Sequence, residues 1–199
     1  MKLFAVDGRS KMEMIEFNKN EIMTIYTDIE SNTFGAGYIL GVDDSCLLLR
    51  SIDCGGEDDG LILYRLQEIV KIERDTLYCQ KLQRLIKIKN SVFKDYDFPQ
   101  RDYIKWLLNE SLNNNKMLFI QLLQSQQCDV IGIVTKVYTG KCFISQINDS
   151  GQSDGECVFR IEDISSIKID SRENKAFELL RKNTLKVKPS ESIKQRTNK

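Results

Sequence analysis

GYILGVDDSCLLLRSIDCGGEDDGLILYRLQEIVKIERD, residues 37–75, can be laid without a gap on GIVTKVYTGKCFISQINDSGQSDGECVFRIEDISSIKID, residues 132–170, at a constant offset of 95. The register runs on to 85 and 180. It pairs Gly37 with Gly132, Val42 with Val137, Ile52 with Ile147, Gly56 with Gly151, Asp59-Gly60 with Asp154-Gly155 and Arg65 with Arg160. Further along it pairs Ile69 and Ile72 with Ile164 and Ile167, Asp75 with Asp170, and Leu85 with Leu180. The same offset sets Ile25 on Ile120, so each copy approaches half the chain. Two copies of one small unit account for this.

Within each copy the strand signals recur. Ile62, Tyr64 and Leu66 match Cys157, Phe159 and Ile161, which gives one apolar face in both repeats. Strands are expected near 22–28, 34–43, 45–53, 60–67 and 69–74, and again near 116–123, 129–138, 141–148, 155–162 and 164–170. Asp43-Asp44 and Thr139-Gly140 read as hairpin turns, and Asp53 to Asp59 and Asn148 to Asp154 as Gly- and Asp-rich hairpins. Gly37 and Gly132 fall inside a strand, where a missing side chain permits a sharp bend or close backbone approach.

Each copy then predicts a helix, capped near Asp75-Thr76 and Asp170-Ser171, with Tyr78, Leu82, Leu85 and Ile86 on one stripe in the first and Ala176, Phe177 and Leu180 in the second. A further helix is expected near 101–113, with Ile104, Leu107, Leu108 and Leu112 on one side and Trp106 off it. A weaker equivalent lies over Arg9 to Phe17. The linker carries Phe93, Tyr96, Phe98 and Pro99, which predicts a docked segment. The expected organisation is a first repeat over 1–90, a linker over 91–100, a second repeat over 101–183, and a basic, disordered tail over 184–199.

Composition narrows the function. The chain has 199 residues, and 41% hydrophobic content suits globular folding. No apolar run approaches the roughly 18 to 20 residues that a membrane helix needs, so the chain reads as cytoplasmic with no membrane partner. Net charge is −3 over 1–95, −3 over 96–180 and +6 over 181–199. Histidine is absent, which removes the commonest general base and the Ser-His and Cys-His nucleophile pairs. The six cysteines include no CxxC pair and read as structural thiols. No catalytic residue, metal ligand or cofactor is expected, and the chain reads as non-enzymatic.

A helix followed by five bent antiparallel strands, with Gly-x-Ile/Val in the second and an Arg-containing block ahead of the fifth, resembles the Sm-like fold of Sm, LSm and Hfq-type proteins. Residues 103–170 carry the resemblance best: Tyr103 to Asn113 is similar to the family's N-terminal helix, and Val130-Ile-Gly-Ile-Val-Thr-Lys-Val to its second strand. The fold it implies is mainly β with peripheral helices: two tandem five-stranded, strongly bent antiparallel barrels. It also implies single-stranded RNA as a ligand, held by stacking and cationic contacts. Carried over, the site residues are Arg65 and Arg160, Asp43 in the first loop, and Tyr138 with Lys141 in the second. The family's asparagine is Leu47 and Cys142 in this chain, and the glycine after the arginine is Leu66 and Ile161.

A second reading stands beside the first, a protein-interaction or assembly module that uses exposed strand edges and forms a homo-oligomer. Subunits of the Sm-like family associate through strands four and five, so a tandem chain would satisfy one such edge internally and leave another free. The two readings diverge at the arginines. A cationic surface joining them to the loops favours RNA, and neutralisation by Glu68 or Asp163 favours the interaction module.

Overall fold

Alternating apolar residues between short Asp- and Gly-rich turns leave the chain little choice but hairpins. The computed structural model describes residues 2–7, 11–16, 18–28, 34–123, 125 and 129–187. Its elements are β1 (Lys2–Asp7), β2 (Lys11–Glu16), β3 (Ile22–Tyr26), β4 (Gly35–Val42), β5 (Cys46–Ile52), β6 (Asp58–Arg65), β7 (Lys71–Arg74), α1 (Leu77–Lys89) and α2 (Tyr103–Asn114). The second repeat continues with β8 (Leu118–Leu122), β9 (Val130–Tyr138), β10 (Lys141–Ile147), β11 (Ser153–Arg160), β12 (Ile164–Ile169) and α3 (Arg172–Val187). A 3-10 turn precedes β7 at Leu66–Glu68 and β12 at Ile161–Asp163.

Five strands per repeat are present, but they do not form two barrels. One open antiparallel sheet of ten strands runs in the order β11-β10-β9-β8-β12-β6-β5-β4-β3-β7. The physical reason lies at the middle. In each repeat the fifth strand pairs with the first, β7 with β3 and β12 with β8, and not with its own fourth. The free side of β6 is taken instead by β12 of the other repeat. Neither repeat closes on itself.

Two smaller expectations also change. The segment anticipated as a weak helix over Arg9 to Phe17 contains strand β2, paired antiparallel with β1 in a separate two-stranded sheet. Helix α3 extends to Val187, so the first residues of the anticipated tail are helical, and 188–199 lie outside the described residues.

The repeats bend in the same places. The β4–β5 ladder shifts register between Ile39 and Gly41 and the β9–β10 ladder opposite Phe143 and Ile144, at equivalent positions. A second matching pair of shifts falls between Arg50 and Ile52 and between Ser145 and Ile147. One extra residue on a strand kinks it and tightens its twist. At the bend, a Cβ on Gly37 would overlap the Arg50 carbonyl, and one on Gly132 the Ser145 carbonyl. Glycine there serves close approach of the neighbouring strand.

The hairpin turns are built alike. Asp53 Oδ1 accepts from the Gly55 and Glu57 amides, and Asn148 Oδ1 from the Ser150 and Gln152 amides, the local side-chain bonding for which Asp and Asn are favoured in turns. Thr76 Oγ1 caps α1 by accepting from the Cys79 amide at 3.2 Å. Thr76→Ala should cost about 1 kcal/mol, read as a shift in the urea midpoint at unchanged slope.

The largest apolar core belongs to both repeats. It joins Cys46, Leu48, Leu61 and Leu63 of the first to Leu118, Ile120, Ile164 and Ile167 of the second, under Ile104, Leu107 and Leu108 of α2. Smaller clusters lie under α1, where Cys79 and Leu82 meet Ile22, Ala36 and Ile52, and beside α3, where Phe177 packs on Phe119. The linker is docked as anticipated: Phe93 packs with Tyr38, and Tyr96 and Phe98 against the shared core. Phe98 also covers Trp106, at 6.3 Å between ring centroids.

Candidate functional site

The seam between the repeats shows what this sheet does with a strand edge. β6 and β12 pair over four positions, Tyr64 with Ser166, Leu63 with Ile167, Ile62 with Lys168 and Leu61 with Ile169. Leu61, Leu63 and Ile167 have no solvent exposure. At the end of β6, Arg65 crosses to the other repeat. Its Nε donates to the Ile164 carbonyl at 2.8 Å, and its terminal Nη2 to the carbonyls of Ile161 and Glu162 at 2.9 and 3.2 Å. One guanidinium thus satisfies three carbonyls around the turn before β12, a use for which its fixed fork of donors suits it. At the other end, Gly60 has φ +75, and a Cβ on it would collide with the Ile169 carbonyl and the backbone of Asp170. Asp59 pairs with Lys168 at 3.2 Å, and Arg172 reaches Asp53 and Glu57.

Behind the seam sits a half-enclosed ionic cluster. Asp170, 10% exposed, takes Lys94 of the linker at 2.6 Å and Lys116 at 3.1 Å, and Lys116 also meets Glu110 of α2 at 3.3 Å. Burial works against ionisation of Asp170, but the hydrogen bond from Lys94 and the charge of Lys116 outweigh it and hold the carboxyl below its ordinary value. Burial likewise works against the Lys116 ammonium, and Asp170 outweighs it in turn, raising that pKa. Burial, with Asp170 and Asp58 nearby, pushes the Tyr96 phenol above its usual range.

Among the described residues, the equivalent positions at the outer ends of the sheet are open. β11 is the counterpart of β6 and β7 of β12, and each ends the strand order on its own side. Leu63 is fully buried, whereas Val158, its counterpart, is 48% exposed. Gly155 repeats the left-handed turn of Gly60 at φ +87, yet no described residue stands within 4 Å of a Cβ placed there. Arg160, the counterpart of Arg65, folds back on its own repeat: Nε and Nη2 donate to Asp163 at 2.8 and 2.9 Å, and Nη1 meets Glu162 at 3.1 Å. Where Arg172 seals the inner seam, the first repeat has Leu77, 84% exposed.

The remaining anticipated residues divide between these places. Tyr138, Lys141 and Arg160 are successive cross-strand neighbours on β9, β10 and β11. Tyr138 is exposed, with the Lys136 ammonium 4.9 Å from its ring centre. Asp43 is a turn former: its Oδ1 accepts from the Ser45 and Cys46 amides, and its Oδ2 from the Tyr103 amide at the start of α2. Arg65 therefore sits at the inner seam, Asp43 in the β4–β5 turn against the start of α2, and Arg160, Lys141 and Tyr138 on the last three strands at the β11 end of the sheet. The buried thiol of Cys142 is pushed up to about 12 by burial and by the neighbouring Cys157, the environment of an inert thiol. A hollow of about 300 Å³ opens on the seam between Ile62, Tyr64, Phe119, Gln121 and Ser166.

Asp170, Lys94, Val158 and Leu77 were not legible as site residues from the sequence. The signal for the last two lay in the repeat itself, where Leu63 stands against Val158 and Arg172 against Leu77 at the same offset. Compared with known proteins, the chain matches no family model, no curated protein and no solved structure.

Proposed function

We propose that the chain is a non-enzymatic interaction module whose working surfaces are the outer edges of β11 and β7, which no described strand pairs and each of which takes up a strand from a protein partner. The observation that carries this reading is the contrast at one repeated position. Leu63 on β6 is sealed by an added strand, and Val158 on β11 presents the same edge without one. An exposed edge offers a row of backbone donors and acceptors that a partner strand satisfies, with side-chain contacts adding selectivity. The arginines favour this reading over RNA. Arg65 is spent on carbonyls of the other repeat, and Arg160 is neutralised by Asp163 and Glu162. Both repeats are mildly acidic, which opposes a polyanion.

A selection of displayed peptides against the full chain tests the proposal. Selected peptides are expected to slow amide hydrogen exchange in residues 156–159 of β11 or in β7 (Lys71–Arg74). Ligands that protect neither edge would sink it. Single-stranded RNA is a second reading, supported by the exposed Tyr138 beside Lys136 and Lys141. That reading predicts anisotropy binding to labelled oligo-U that Tyr138→Ala weakens roughly tenfold, the loss of one stacked base. Binding indifferent to Tyr138→Ala would remove it.

A further inference from the structure

We propose that the hollow on the inner seam binds a small uncharged molecule with an aromatic or aliphatic body and one carbonyl oxygen, to which the Tyr64 hydroxyl donates. Successive side chains point to opposite faces of a strand, so while Leu63 and Ile167 enter the shared core, Ile62, Tyr64, Ser166 and Lys168 line the hollow on the other face. Strands β3 and β8 lie five steps apart in the strand order, and the sheet curves enough to bring Ile25 of one and Phe119 of the other to the same cavity. Its volume, about 300 Å³, takes a single ring system.

Tyr64 is the residue that points to a ligand. It is 8% exposed, and its hydroxyl has no hydrogen-bond partner among the described residues. A buried hydroxyl left without an acceptor costs free energy, and burial alone pushes this phenol up, so it keeps its proton as a donor. The fold does not require it. At the repeat offset the position is Phe159, also 8% exposed, which packs into the shared core with a ring alone. Gly35 makes the room: a Cβ there would overlap the Tyr64 hydroxyl, whereas the counterpart of Gly35 is Val130. Glycine and phenol differ together between the repeats, and what the exchange adds is one donor at the wall of a cavity.

The rest of the lining selects an uncharged molecule. Ile25, Phe34, Ile62 and Phe119 supply apolar surface. The Ser166 hydroxyl donates to Gln121 Oε1 at 3.3 Å, and the Gln121 amide nitrogen donates to the Ser125 carbonyl, so these polar groups already have partners. Lys168 is held by Asp59 at 3.2 Å, and the exposed Glu173 opposes an anion.

Amide chemical shifts of the isotope-labelled full chain, followed during titration with acetophenone and with benzamide, test this. Both probes are expected to bind with dissociation constants of about 1 mM, as suits molecules of about nine non-hydrogen atoms, and to shift the amides of Ile25, Ile62, Phe119 and Lys168. Ethylbenzene, which lacks the carbonyl, and benzoate, which is charged, should each bind at least about fivefold more weakly. Tyr64→Phe should weaken acetophenone about fivefold, the loss of one hydrogen bond, while leaving the urea midpoint unchanged or raised. Failure of both carbonyl probes to shift these amides overturns the proposal, as does equal binding of acetophenone by Tyr64→Phe, or of ethylbenzene or benzoate by the parent. A lower urea midpoint in Tyr64→Phe also overturns it, because the hydroxyl would then have a structural partner. The hollow makes no use of β11 or β7, so these outcomes leave the edge reading to its own test.

Discussion

Ile167→Ala is expected to destabilise the whole chain by about 2–5 kcal/mol, and to do so in the first repeat as much as in the second. Ile167 is fully buried on β12 and lies between Leu63 of the first repeat and Ile120 of the second. Removing its branched side chain opens a cavity in a core to which both repeats contribute. Urea unfolding should show one transition at a lower midpoint. Hydrogen exchange should accelerate by the same factor in β4 and β5 as in β9 and β10. Unchanged exchange in β4 and β5 would mean that the repeats are independently stable units merely in contact, and the shared-core account would be wrong.

Asp170→Asn is the second large effect, about 2–3 kcal/mol at neutral pH. Neutralising one member of a half-enclosed ionic cluster leaves the others uncompensated, here discounted because Lys94 is half exposed. The sign with pH follows from the shifts. The folded-state pKa of Asp170 lies below its ordinary 3.8, so its contribution is complete above that value and disappears as pH falls through the depressed one. The pKa of Lys116 lies above its ordinary 10.5, so that contribution is complete below 10.5 and disappears as pH rises through the elevated one. The parent protein should therefore lose stability at both extremes. The variant should start lower and show a flatter acid limb in pH-dependent denaturation midpoints. Parallel curves would show that Asp170 acts through shape alone.

Much of the local structure was legible in the chain. The strand boundaries at Ile22, Cys46, Lys141 and Ile164 follow from alternating apolar residues and turn formers, because side-chain period and turn chemistry are local properties. Strand pairing is not local. Nothing in the alternation of Leu61, Leu63 and Arg65 distinguishes an edge that meets its own repeat from one that meets the other, and that single difference turns two anticipated barrels into one open sheet. The N-terminal hairpin was missed because Lys11-Met-Glu-Met-Ile-Glu alternates over too few residues to be told from one face of a short helix. The arginines at 65 and 160 were legible as a repeated pair. Their opposite fates, one across the seam and one on Asp163, depend on what lies beyond each strand.

The strand order also gives the molecule a direction and a length. Its ends are unlike: one is a fourth strand carrying Val158, the other a fifth strand carrying Ile72, so a ligand shaped for one does not fit the other. Nine inter-strand steps separate β11 from β7. At about 4.8 Å per step, two such ligands would be held about 43 Å apart along the curve of the sheet. That spacing is set by the sheet's hydrogen bonds, with Lys94 of the linker held by Asp170 at 2.6 Å beside the seam.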